Sequence, residues 1–128
     1  MSTILVNTLT GTSTAGSIAV TGEGNSTTTN LQQGLAKAWA FVQGSDGSFK
    51  DSFNYGSVTD NGTGDYSYTF TNNMGNGNFS VAAMVNASDN KGVTRGTNST
   101  TGHDINVFNT SNSAVDTASS FITAGDLA

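Results

Sequence analysis

The sequence has no cysteine and no proline, and only four lysine or arginine residues in 128 positions. Without cysteine there is no disulfide framework and no thiolate metal site. Four cations against nine carboxylates leave a net charge of −5, so the basic footprint that nucleic acid requires is missing. Apolar runs are short, and none approaches the ~18 residues of a membrane span, so no membrane insertion is expected. Ala, Leu, Glu, Lys and Arg are too scarce for a helical bundle or coiled coil. The opening Met1-Ser-Thr-Ile-Leu-Val6 lacks a basic region, and Ile4-Leu-Val6 is too short for a signal-peptide core, so no secretory signal is expected.

What is present is small and polar. There are 20 Thr, 16 Ser, 15 Asn and 16 Gly, just over half of the chain. Low charge with this composition is also a mark of disorder. The aromatics argue against it. Trp39, three Tyr and seven Phe fall in short alternating runs, which a solvated linker lacks. The length allows one domain with a short appended arm. Large apolar residues are few for that length. The core is therefore expected to be completed by burial between identical subunits, which makes a homo-oligomer.

Residues 1–34 form one compositional unit, read as an N-terminal arm. Ile18 and Val20 alternate with Ser17, Ala19 and Thr21, as in a short strand. From Thr21 to Asn30 there is no large apolar residue, as expected of a flexible or extended segment. Asn30 and Gln33 stand in capping-box positions for a brief helix that places Leu31 and Leu35 on one face. One helical turn cannot stand alone, so that face needs a neighbour.

Residues 35–128 read as all-β. Trp39 and Phe41 share a face, and Ser45-Asp-Gly47 is turn chemistry. Phe49, Asp51, Phe53 and Tyr55 are expected to share a face of one strand. Asp60-Asn-Gly-Thr-Gly-Asp65 reads as a tight turn between strands. Tyr66, Tyr68 and Phe70 then face one way, against Asp65, Ser67, Thr69 and Thr71. Phe79, Val81, Ala83 and Val85 form the next strand, Ile105 and Val107 point inward from another, and Phe121-Ile122 lie in the last. Asp89 to His103 is expected to be a polar loop or hairpin tip carrying Lys91 and Arg95. Short strands at this spacing predict a small antiparallel β-sandwich.

Four segments in order carry a resemblance: Lys37-Ala-Trp39, Asp51-Ser-Phe-Asn54, Ser57-Val-Thr-Asp-Asn-Gly-Thr-Gly-Asp-Tyr66 and Gly125-Asp-Leu-Ala128. Together they resemble small virion proteins of phages of marine bacteria, usually labelled tail fiber or spike proteins. In that group an AKAW strand leads to SFN and SxTDNGTGDYxxxFT, and the chain closes in GDLA. Met1-Ser-Thr-Ile-Leu-Val-Asn-Thr8 also looks like the group's N-terminal arm. The departures are local: Asn72-Asn-Met-Gly75 stands where many members have a Pro, many have a longer glycine-rich turn after the Trp strand, and the 90–103 segment matches nothing in the pattern. The resemblance implies a virion location, a trimeric spike attached through residues 1–34, and host-surface contact by the β domain. A capsid decoration or head-fiber protein is the alternative, since it uses the same kind of small β-trimer on the shell.

The candidate site residues follow from this. Thr94, Arg95, Asn98 and His103 are receptor-contact candidates, because such side chains donate to the hydroxyls or anionic groups of a host glycan or protein. Leu31, Leu35 and Trp39 are candidates for the seam between subunits. Catalysis has little to build on. His103 beside Asp104, with Ser99 and Thr101 near, lies in what reads as a solvated loop, and Glu23 is the only glutamate. Asp60 to Asp65 lacks the regular calcium-loop spacing and its closing Glu, and Lys91 opposes a cation near Asp89. Neither an enzyme nor a cofactor is expected. An ice-binding or adhesin face would repeat Thr-x-Thr at a fixed period, and Thr8-Leu-Thr10, Thr12-Ser-Thr14 and Thr69-Phe-Thr71 do not.

Overall fold

The computed structural model describes residues 3–12, 18–21, 28–87 and 90–128. Its contacts divide the chain into Met1–Leu35 and Ala36–Ala128. In the first unit, residues 3–12 have no regular secondary structure. Strand β1 (Ala19–Thr21) pairs antiparallel with β2 (Thr28–Asn30), and a single helical turn, α1 (Leu31–Gly34), follows directly. The Leu31 amide donates to the Ile18 carbonyl at 2.8 Å, tying the turn to the strand pair. The described ends of the segment expected to be flexible or extended, Thr21 and Thr28–Asn30, are thus extended and paired. Glu23 lies outside the described residues.

The second unit is all-β and entirely antiparallel. Its strands are β3 (Ala38–Val42), β4 (Phe49–Phe53), β5 (Tyr55–Gly62), β6 (Asp65–Phe70), β7 (Ser80–Val85), β8 (Lys91–Ser99), β9 (Gly102–Asn109) and β10 (Ser119–Ala124). They form two four-stranded sheets, ordered β4-β3-β10-β7 and β5-β6-β9-β8. The inward faces make one core. The first sheet contributes Ala38, Ala40, Val42 and Phe121; the second contributes Tyr55, Tyr66, Tyr68, Phe70, Ile105 and Val107. Small residues on β3 leave room for the rings of β5 and β6. Across the gap, Phe121 meets Tyr68 at 4.8 Å and Tyr55 at 5.3 Å between ring centres. Each tyrosine hydroxyl is satisfied, as buried polar tips require. The Tyr66 hydroxyl lies 2.8 Å from both the Gly44 carbonyl oxygen and Asp116 Oδ1 and shares its one proton between these acceptors, and Tyr68 donates to the Gly47 carbonyl at 3.3 Å. Burial raises the pKa of all three tyrosines, so they stay protonated.

The expected continuous face from Phe49 to Tyr55 does not form. Asn54 adopts φ 61°, a left-handed conformation that asparagine tolerates better than most residues. Its amide nitrogen donates to the carbonyls of Lys37 at 2.9 Å and Asn72 at 3.1 Å, and its oxygen accepts from the Asn72 backbone at 2.7 Å. This corner sends the chain from one sheet to the other. Tyr55 enters the core while Phe53 is left outside.

The Asp60–Asp65 run is a hairpin between β5 and β6. Asp60 Oδ1 accepts from the Gly62 amide at 2.9 Å. Gly64 has φ 67°, and a Cβ there would meet the Val107 carbonyl oxygen at 2.4 Å, so glycine is needed on both counts. Its amide donates to Asp116 Oδ1 at 2.8 Å. Cross-strand closure and a tight turn account for the choice of these residues.

Candidate functional site

The two sheets turn opposite chemistries outward. On the β4-β3-β10-β7 sheet, register places Phe53, Trp39, Ile122 and Ala82 side by side across four strands. The next outward row is Asp51, Phe41, Ser120 and Met84. Phe53 is 53% exposed, Met84 71%, Ile122 48% and Trp39 38%, in a chain with few large apolar residues to spare. A shallow hollow of about 380 Å³ lies among Trp39, Phe41, Ala82, Met84 and Ile122. At its border Lys50 Nζ sits 4.9 Å from the centre of the Phe41 ring. Soluble monomers rarely present contiguous apolar surface of this kind.

The β5-β6-β9-β8 sheet shows hydroxyls, amides and carboxylates instead. Ser57 and Thr69 share a hydrogen bond at 2.6 Å, and Asn61 donates to Ser67 at 2.8 Å. Asp104 points outward and accepts from the Thr97 amide at 3.3 Å. Toward the β5–β6 turn, a cleft of about 450 Å³ opens among Thr63, Asp65, Thr94, Asn106, Phe108 and Asn112.

The receptor-contact candidates do not act as a group. The segment expected to be a loop, from Asp89 to His103, is mostly strand β8 joined to β9 by a turn at Thr100-Thr101; Asp89 itself lies outside the described residues. Alternation in β9 turns His103 into the core, 2% exposed, so it is not a surface contact. Its Nε2 lies 2.6 Å from the Tyr55 hydroxyl, which is 2.9 Å from Thr123 Oγ1. Burial among Phe70, Phe79, Phe121 and the tyrosines lowers its pKa to about 4, against the opposing pull of the Asp104 backbone and carboxylate. Because neighbours in a strand face opposite ways, His103 and Asp104 do not form a working pair. Arg95 Nη1 donates to the Phe79 carbonyl at 3.0 Å, and Asn98 Nδ2 donates to the same oxygen at 3.4 Å. Both side chains brace the 71–79 segment. Thr94 alone of the four lines the open cleft.

Of the seam candidates, Trp39 lies in the middle of the apolar outer row. Leu31 is half-buried and Leu35 exposed in the first unit. Sequence reasoning missed Phe53, Met84 and Ile122, which join Trp39 only through cross-strand register. It also missed Asp65, Asn106, Phe108 and Asn112 in the cleft, which come from separate segments. No family model, curated protein or solved structure matches the chain.

Proposed function

We propose that the chain is a structural protein of a phage virion, a homotrimeric tail fiber or spike whose subunits meet through the outer face of the β4-β3-β10-β7 sheet. One observation carries this reading: the unpaired apolar row of Phe53, Trp39 and Ile122, with Met84 beside it. Burying each such side chain gives about 1–3 kcal/mol, so a shared seam supplies what a thin core lacks. The ordered resemblance of the Lys37–Trp39, Asp51–Asn54, Ser57–Tyr66 and Gly125–Ala128 segments to small phage fiber proteins supplies the virion setting. With one sheet given to assembly, the polar sheet is left to face the host, and residues 1–34 are left to engage other virion proteins.

Light scattering on the purified chain tests the assembly, with an expected mass of about 39 kDa, three times 13.0 kDa. A stable species of 13.0 kDa would refute the shared seam. Immunogold labelling of intact particles tests the location. Label at the tail tip is expected, whereas label over the capsid shell would replace the fiber with a decoration protein.

A further inference from the structure

We infer that the cleft on the β5-β6-β9-β8 sheet binds a neutral saccharide, with Asp65, Asn106, Thr94 and Asn112 as hydrogen-bonding groups and Phe108 as the platform for the sugar ring. The inference rests on the reading of the chain as a host-contacting virion protein and names the chemistry of that contact.

Register builds the polar part. Asp65 of β6 pairs with Asn106 of β9, and Asn106 pairs with Thr94 of β8. A carboxylate, an amide and a hydroxyl therefore stand side by side across three strands. At ordinary strand spacing this ladder is about 10 Å long, the reach of a disaccharide. It supplies acceptors from Asp65, a donor and an acceptor from Asn106, and a hydroxyl that does either. Vicinal sugar hydroxyls, each both donor and acceptor, match such a mixed set.

Phe108, two residues along β9 from Asn106, supplies the apolar part. Its ring lies over Gly92, directly opposite on β8; a Cβ at Gly92 would come within 2.5 Å of the ring carbons. The glycine thus sets the ring down against the edge strand, and the ring remains half-exposed along the cleft. A flat ring beside a polar ladder suits the C–H face of a pyranose. The wall beyond is made by Asn112, held in a left-handed turn at φ 58°, with its backbone N–H donating to the Asn109 carbonyl at 2.9 Å. The volume of about 450 Å³ falls within the roughly 300–1,000 Å³ of small-ligand sites.

Charge decides between saccharide classes. Among the described residues, the lining contains no lysine or arginine and includes the Asp65 carboxylate. In a chain of net charge −5, uronates, sialates and phosphorylated sugars are repelled. Neutral hexoses and N-acetylhexosamines are not.

The test uses the full chain on an array of neutral hexose and N-acetylhexosamine oligosaccharides, printed beside uronate- and sialate-bearing counterparts. Binding to neutral glycans alone is expected. Asn106→Ala should weaken it about tenfold, as loss of a hydrogen-bonding side chain does. Asn112→Gly removes the amide while keeping the left-handed backbone, and should weaken binding even if Asn106→Ala fails to fold. Thr59→Ala, on the same sheet outside the cleft, should bind as the parent does. No binding, binding only to acidic glycans, or neutral binding that survives Asn112→Gly would each overturn the inference. Molecular mass is measured on the same samples. A trimer that binds no glycan leaves the assembly reading standing, and a monomer that binds neutral glycan removes the assembly reading alone.

Discussion

His103 is the residue whose chemistry is most changed by its place in the fold. In solution an imidazole of pKa about 6.5 is partly charged at mild acidity. In the core, desolvation holds it neutral down to about pH 4. The unfolded chain therefore takes up a proton below about pH 6.5, while the native chain does not until about pH 4. Over that window the unfolded state binds more protons, so the stability due to neutral His103 is complete above pH 6.5 and is lost as pH falls toward 4. The shift corresponds to roughly 3 kcal/mol. Urea midpoints at fixed protein concentration, compared at pH 7.5 and 4.5, should fall for the parent. They should fall much less for His103→Phe, which keeps an aromatic body and cannot charge. Equal pH slopes in the two proteins would show that the histidine is not the group responsible. Thr123, which stays within hydrogen-bond distance of the Tyr55 hydroxyl, is what keeps that hydroxyl satisfied in the variant.

At the scale of elements, what the sequence shows depends on whether a strand's partners matter. The alternations of Tyr66-Tyr68-Phe70, Val81-Ala83-Val85 and Ile105-Val107 are local, and those residues face inward as expected. The hairpin at Asp60–Asp65 is likewise local, since its turn chemistry lies within six residues. Two features were not legible. The corner at Asn54 depends on acceptors at Lys37 and Asn72, far away in sequence, so period-2 reading ran straight through it. Strand β8 carries Thr, Arg, Gly and Asn rather than apolar residues because it is an edge strand with a solvated face, and such a strand looks like a loop. Register hides the candidate surfaces for the same reason. Nothing near Trp39 in sequence announces that Phe53 and Ile122 flank it. The consequence is measurable. Trp39→Asp or Ile122→Asp puts an unpaired charge into the proposed seam, a cost on the order of 3–5 kcal/mol per site once buried. Either variant should shift the scattering mass toward 13.0 kDa with the β spectrum intact. Thr59→Asp, on the polar sheet, should not. Trimers of full mass from both seam variants would move the interface elsewhere, and Leu31→Asp and Leu35→Asp would then be the discriminating pair.

At the scale of the whole molecule, the sandwich is a two-faced slab, apolar on one outer sheet and polar on the other. The scarcity of charge fits this division. Among the described residues, Lys50 and Asp51 at its border are the charges next to the apolar face, so copies meeting there, as proposed, would bury few ions. The core of the second unit is self-contained. Every residue of its buried cluster lies between Ala38 and Phe121, and all eight strands of its two sheets pair among themselves. None of the described residues among 1–30 contributes a strand to either sheet, so removing this segment should leave the fold and, under the proposed seam, the oligomer. The expected result is an unfolding midpoint within about 4 °C of the parent, a change worth no more than about 1 kcal/mol in a domain of this size. The mass should remain three times that of the shortened chain. Under the proposed attachment role, the same deletion should abolish incorporation into virions, because it removes the exposed Ile4, Leu5, Val6 and Leu9. Particles assembled with the shortened protein at normal copy number would overturn the attachment role of the first unit. A fall to monomer would instead place an essential part of the seam within residues 1–30.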